Sequence, residues 1–153
     1  MPALTTRQQA ATFRLINETV RDRLVAQRDA IDRIETKGTV LLGFSIAAAQ
    51  LYVTQSVPIS ELRVVCFVTF GLAVVFGLFV VRPYEHRYPP EPSDFYGGFL
   101  DTPAHIVEKW LAGARTIAFE ANVPLAKRKE RFYWLMLAAL LAAALLSILS
   151  FTL

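Results

Sequence analysis

The sequence predicts an all-α integral membrane protein: three transmembrane helices with a two-helix antiparallel cytoplasmic stalk. Three observations carry that fold class. First, Thr39–Val57, Leu62–Val81 and Phe132–Leu153 are apolar for about the length a membrane helix needs, since a bilayer core of about 30 Å takes roughly 20 residues. None holds an internal Asp, Glu, Lys or Arg, apart from Arg63 at the mouth of the second. Second, 54% of the 153 residues are hydrophobic, with a mean hydropathy of +0.40, well above ordinary globular usage. Third, the two polar segments carry apolar residues at alternating spacings of three and four, the period of a helix with one buried stripe.

Residues 1–38 form the first element, a cytoplasmic amphipathic helix. Phe13, Asn17, Val20, Leu24, Gln27, Ile31 and Ile34 share one stripe, and most positions between them are charged. No Pro or Gly occurs between Ala3 and Gly38. The helix can therefore run into the membrane as one rod, projecting over about 40 Å at about 1.5 Å per residue. Residues 39–81 form a transmembrane hairpin with a tight turn at Val57–Ser60, marked by Pro58. The first apolar run starts behind a long charged segment, which is the wrong layout for a cleavable signal peptide.

Residues 82–102 form a connector rich in proline and aromatics, with Pro83, Pro89, Pro90, Pro92, Gly97 and Gly98 among Tyr84, Tyr88, Phe95, Tyr96 and Phe99. Proline at this density blocks helix. The aromatics argue for packing on the headgroup layer or the stalk rather than for a solvated linker. Residues 103–131 form a second cytoplasmic helix, started by Thr102 and Pro103. Its stripe reads Val107, Trp110, Ala114, Ile117 and Ala121, and Pro124 interrupts it. The two stripes pair, giving a coiled-coil seam of Phe13, Val20, Leu24, Ile31, Ile34, Trp110 and Ile117. The basic run Lys127–Arg131 and the aromatic belt Phe132-Tyr133-Trp134 lead into residues 132–153, the C-terminal transmembrane helix.

Seven basic residues lie in residues 1–38, one at the hairpin tip and eight in residues 82–131. With three crossings, fifteen of the sixteen fall on one side. The positive-inside rule then puts the N-terminus in the cytoplasm and the C-terminus outside. Acidic residues interleave with basic ones in both polar segments, so no broad basic face forms and nucleic acid is not expected as a partner. Membrane lipids are.

Catalysis has little to work with. His86 and His105 are nineteen residues apart and belong to no metal-binding array, and Gly97-Gly98 is a doublet in a turn, not a phosphate loop. The single cysteine, Cys66, lies in the second apolar stretch, so no disulfide forms within one chain. The expectation is a protein that is not an enzyme and has no cofactor or metal.

The membrane helices say more. Gly43, Ala47, Gln50 and Thr54, with Gln55 adjacent, make one stripe of small residues that turns polar. Cys66, Thr69, Ala73 and Gly77 make a second, and Ala139, Ala143, Ser147 and Ser150 a third. Small residues let helix backbones approach closely in lipid. On one reading all three stripes hold a monomeric bundle, with Gly43, Ala47, Ala73, Gly77, Ala139 and Ala143 as its packing residues. On the other, Gln50, Thr54 and Gln55 face a neighbouring subunit or a water path, because an amide in hydrocarbon needs a partner. Without an intramembrane acid or base, broken helices or an inverted repeat, neither a proton relay nor a transporter is expected.

The run Ile31-Asp32-Arg33-Ile34-Glu35-Thr36-Lys37-Gly38 leading into Leu41-Leu42-Gly43, the exit Arg82-Pro83, and Asn122…Leu125…Lys127 before the last span carry a resemblance. In these and in overall layout the chain resembles the SLATT domains and the related Pycsar membrane effectors of bacterial anti-phage systems, with Gly38 where the resemblance implies Ala. The resemblance implies a multi-pass protein of the bacterial inner membrane that forms a homo-oligomer on a signal and permeabilises the membrane as a pore. A different class of function is a non-catalytic accessory or scaffold subunit of a larger membrane complex, docking through the connector. A third gives the connector a nucleotide second messenger as partner, with Tyr84 or Tyr88 stacking the base beside Arg82 or Arg87.

Overall fold

A computed structural model describes residues 6–54, 61–84 and 102–152. Among these there are three helices and no strand: α1, Thr6–Thr54; α2, Glu61–Val81; and α3, Ala104–Thr152. Two of them, α2 and α3, are long and apolar enough to cross a membrane. The polar and apolar parts of α1 are one unbroken helix, as the lack of an early Pro or Gly predicts. α3 is unbroken too, and here the structure corrects the sequence. Pro124 sits inside the helix rather than interrupting it. Its ring faces solvent, so the one backbone bond it removes is lost at an exposed position. The start of α3 also shifts by one residue. The Pro103 carbonyl accepts from the amides of Ile106 and Val107, at 2.9 and 3.4 Å, so Pro103 caps the helix instead of occupying its first turn.

The chain divides into two compact units. The first comprises Met1–Ala30 and Tyr84–Ala126, the second Ile31–Pro83 and Lys127–Leu153. In the second unit α2 buries Cys66, Phe70, Ala73, Gly77 and Val80, a strict alternation of four and three. α1 buries Ile31, Gly38, Ser45 and Tyr52, and α3 buries Lys129, Met136, Leu140 and Ala143. A recurrence every seven residues keeps a helix's seam on its neighbours over many turns. Two glycines permit the close approach. A Cβ at Gly38 would lie 2.5 Å from Val80 Cγ1, and one at Gly77 would lie 2.9 Å from both Leu42 Cδ1 and Met136 Sδ.

Contacts within the second unit fix its directions. Glu35 meets Lys129 and Tyr52 meets Ser150, so α1 and α3 run parallel there. Cys66 meets Ser147 and Phe79 stacks on Phe132, so α2 runs against both. Of the antiparallel stalk expected from residues 1–38 and 103–131, the part that lies in this unit, 31–38 against 127–131, is therefore corrected to a parallel pairing. The physical reason is that both segments lead directly into apolar stretches, and these run in the same sense through the unit. Arg63, the one charge at the mouth of α2, donates to the carbonyls of Tyr52 and Val53 and lies over the Tyr52 ring at 5.6 Å. It thereby caps the C-terminal turn of α1, where a cation is favoured.

The outside of the second unit is apolar: Val40, Phe44 and Leu51 on α1, Val68, Leu72 and Leu78 on α2, and Leu141, Leu145 and Ile148 on α3 are all exposed. Its interior is built largely from small and hydrogen-bonding residues. A water-soluble bundle is arranged the other way round.

Candidate functional site

The polar residues of the interior follow the seven-residue register. On α3 it runs Glu108, Arg115, Asn122, Lys129, Met136, Ala143, Ser150, and on α1 it runs Asn17, Leu24, Ile31, Gly38, Ser45, Tyr52. In the first unit the buried Asn17 donates from Nδ2 to the Glu108 carboxylate at 2.9 Å. Its own side-chain and backbone carbonyls accept from the Arg115 guanidinium. One amide thus joins an acid to a base, and each α1–α3 bond is charge-assisted. Asn122 is buried one heptad further on.

In the second unit Lys129 is 1% exposed, although it belongs to a run of basic residues that reads as surface. Its ammonium pairs with the Glu35 carboxylate on α1 and donates to the Arg82 carbonyl at 3.2 Å, just past the end of α2. One side chain therefore ties all three helices. Aromatics shield the neighbourhood: Phe132 stacks on Phe79 and Phe76 at 4.9 and 6.3 Å, and the Arg128 guanidinium lies 5.8 Å from the Phe132 ring centre. Towards the other end of the same unit, Tyr52 bonds Ser150 at 2.8 Å and Cys66 bonds Ser147 at 3.1 Å. A buried ion pair gains little over well-packed apolar residues, but losing one partner strands a charge.

The structure sorts the residues singled out in the sequence. Ala73, Gly77 and Ala143 are buried in the second unit and Ala139 packs against its core, whereas Gly43 and Ala47 are exposed. Gln50 and Thr54 are exposed and line an open groove of about 700 Å³ between α1 and α2. Gln55 and the connector from 85 to 101 lie outside the described residues. Of the stalk seam, Ile31 is buried, and Phe13, Val20, Leu24 and Ile34 are half-buried. Trp110 and Ile117, by contrast, are 43% and 59% exposed. The buried face of α3 instead carries Glu108, Ala112, Arg115, Ala118 and Asn122, wholly or partly covered. Glu35, Lys129, Glu108 and Arg115 were missed. The signal that finds Glu108, Arg115 and Lys129 is the seven-residue repeat itself, which large apolar residues do not mark because acids, bases and amides occupy it; Glu35 stands off the α1 register and is reached only through Lys129. Among the described residues no group of His, Cys, Asp and Glu could hold a metal ion.

A bundle with apolar residues outside and small or polar ones inside defines a helical membrane protein. The chain belongs to the family of PycTM, a Pycsar effector protein domain, whose model matches residues 19–122, more than half its length. The match takes in α1 from Thr19, all of α2 and the first part of α3, and stops at Asn122, before Lys129 and the apolar end of α3. Membership fits a membrane effector in anti-phage defence. No curated protein and no solved structure matches the chain.

Proposed function

We propose that this chain crosses the membrane three times, with the N-terminus inside and the C-terminus outside, and that copies of it assemble to permeabilise the bacterial inner membrane. The observation that carries the reading is the inverted second unit. Its exposed apolar residues lie on all three helices, α1 included, which supports reading the apolar end of α1 as a third crossing beside α2 and α3. The charged segments then share the cytoplasmic side, as the distribution of Lys and Arg favours.

The action is non-catalytic. It depends on bistable packing, in which paired helices exchange partners within one copy for partners between copies. The polar seam supports such a change, because each of its bonds joins residues that another copy could supply equally well. Two measurements test the proposal. A reporter fused after Leu153 is expected to be external, and induced expression is expected to let a membrane-impermeant dye into cells. A cytosolic reporter removes the topology. A dye-tight membrane at high expression removes the permeabilisation.

A further inference from the structure

Gln50 stands apart from the other polar groups in the apolar segments. Among the described residues of 39–54, 64–81 and 135–150, the serine and threonine hydroxyls bond back to carbonyls of their own helices, Tyr52 bonds Ser150, and Cys66 bonds Ser147. Within this set Gln50 has no hydrogen-bond partner, and its side chain is exposed. It borders the groove of about 700 Å³, with Ile46 and Val53 on its own wall and Phe67, Gly71 and Val74 on the α2 wall. Lipid tails fill a groove but cannot bond an amide, and an unpaired amide in hydrocarbon is costly.

The glycines give a second, independent observation. Gly38 and Gly77 are needed by the chain's own packing, as their blocked Cβ positions show, whereas a Cβ at Gly43 or Gly71 meets nothing within 4 Å. Gly71 is on the groove wall, and Gly43 lies seven residues before Gln50 on the same stripe. Neither serves packing within this chain. Both leave room for another backbone to come close, which is how helices associate in lipid.

We propose that this groove is the contact between two copies of the chain, with their Gln50 amides bonded to each other. An amide carries both donors and an acceptor and is therefore its own complement. A two-fold contact brings the same patch of both copies together. The inference rests on the assembly reading above and names its interface.

The test uses the full-length chain in phosphatidylethanolamine and phosphatidylglycerol vesicles, with self-association read by energy transfer between labelled copies. Gln50→Leu is expected to weaken association about three- to thirty-fold, the range of interhelical hydrogen bonds in membranes. Gln50→Asn, which keeps an amide, retains most of it. Gly71→Leu, which fills the groove without touching the amide, weakens it too. Helix content by circular dichroism stays at the wild-type value in all three, because neither position holds the chain's own bundle together. Association of Gln50→Leu at the wild-type level overturns the proposal. So does an effect of that variant on leakage alone, which would mean the amide faces a water path, and so does association that needs a foreign protein. Leakage is measured separately. Wild-type copies that associate through Gln50 without leaking support the interface and remove the permeabilisation reading, whereas leakage with association indifferent to Gln50 does the reverse.

Discussion

In the first unit, the exposed positions of α1 are crowded with Arg7, Arg14, Glu18, Arg21, Asp22, Arg23, Arg28 and Asp29, with Leu15, Ile16 and Val25 as the large apolar residues among them. In the second unit, beyond Lys37, the exposed positions of the same helix carry no charge, and the large side chains there are mostly apolar: Val40, Phe44, Ile46, Leu51 and Val53, with Gln50 among them. The buried register does not change with the surface. It is Asn17 and Leu24 in one unit and Ile31, Gly38, Ser45 and Tyr52 in the other, always seven residues apart. The comparison teaches that repeat and solvent are specified separately. The repeat decides which side of a helix meets its neighbours, and the residues off the repeat decide whether water or lipid lies beyond. A stripe search sees only the first.

The largest expected effect strikes the buried pair of the second unit. Lys129→Met leaves the Glu35 carboxylate, 33% exposed, facing an apolar side chain, and leaves the Arg82 carbonyl without that donor. Breaking a buried pair on one side costs about 3–5 kcal/mol, and removing both charges recovers much of it. Thermal unfolding in detergent should therefore fall well below wild type for Lys129→Met and rise again for Lys129→Met combined with Glu35→Leu. If the single variant unfolds with the wild type, the pair does not hold the helices.

Next in size is a charge placed on each surface. Leu72→Lys puts an ammonium mid-way along α2 on the side read as facing lipid, where insertion scales assign about 2.5–3.5 kcal/mol. Leu15→Lys makes the same change at an exposed site of the first unit, where surface substitutions stay within about 0.5 kcal/mol. Membrane integration, followed by alkaline extraction, should drop for the first and hold for the second. Equal behaviour would erase the distinction between the units.

A smaller loss is expected at Asn17→Ala, which removes the amide between Glu108 and Arg115. Unsatisfied polar groups cost about 1–3 kcal/mol. Solvent reaches this cluster more readily than it reaches Lys129, so the low end applies. Unfolding of the variant should be measurably easier than that of the wild type, and equal unfolding would mean that the amide does not join the two helices.

Helix existence and the apolar segments were legible because each rests on local composition: long runs without Pro or Gly, and stretches without charge. Of the small residues singled out in these stretches, Ala73, Gly77 and Ala143 are buried, while Gly43 and Ala47 are exposed. Direction and partner were not legible. Whether α3 pairs parallel to α1 in the second unit depends on which polar groups meet, Glu35 with Lys129 and Tyr52 with Ser150, and composition does not state that. The seam of α3 was displaced to Trp110 and Ile117 because large apolar residues are the usual mark of a buried face. Here Glu108, Arg115 and Lys129 hold that face, and a charge is recognisable as interior only once its partner on another helix is known. Pro124 misled in the same way, since a proline on an exposed helix face costs one backbone bond without ending the helix.

The smallest effect separates two glycines five residues apart on α1. Gly38→Ala puts a methyl 2.5 Å from the Val80 Cγ1, and a β-branched valine has few rotamers into which to withdraw. Overpacking of this kind typically costs about 1–3 kcal/mol, against which the better helix propensity of alanine returns roughly 0.8–1.0. The net is a modest loss. Gly43→Ala meets open space, so only the propensity gain remains, and the variant should unfold slightly above wild type in dilute detergent. Opposite signs at the two positions would locate the close contact between α1 and α2 at Gly38. The same sign at both would mean that α1 and α2 do not approach there as closely as the valine requires, and the seven-residue seam of the second unit would lose its tightest point.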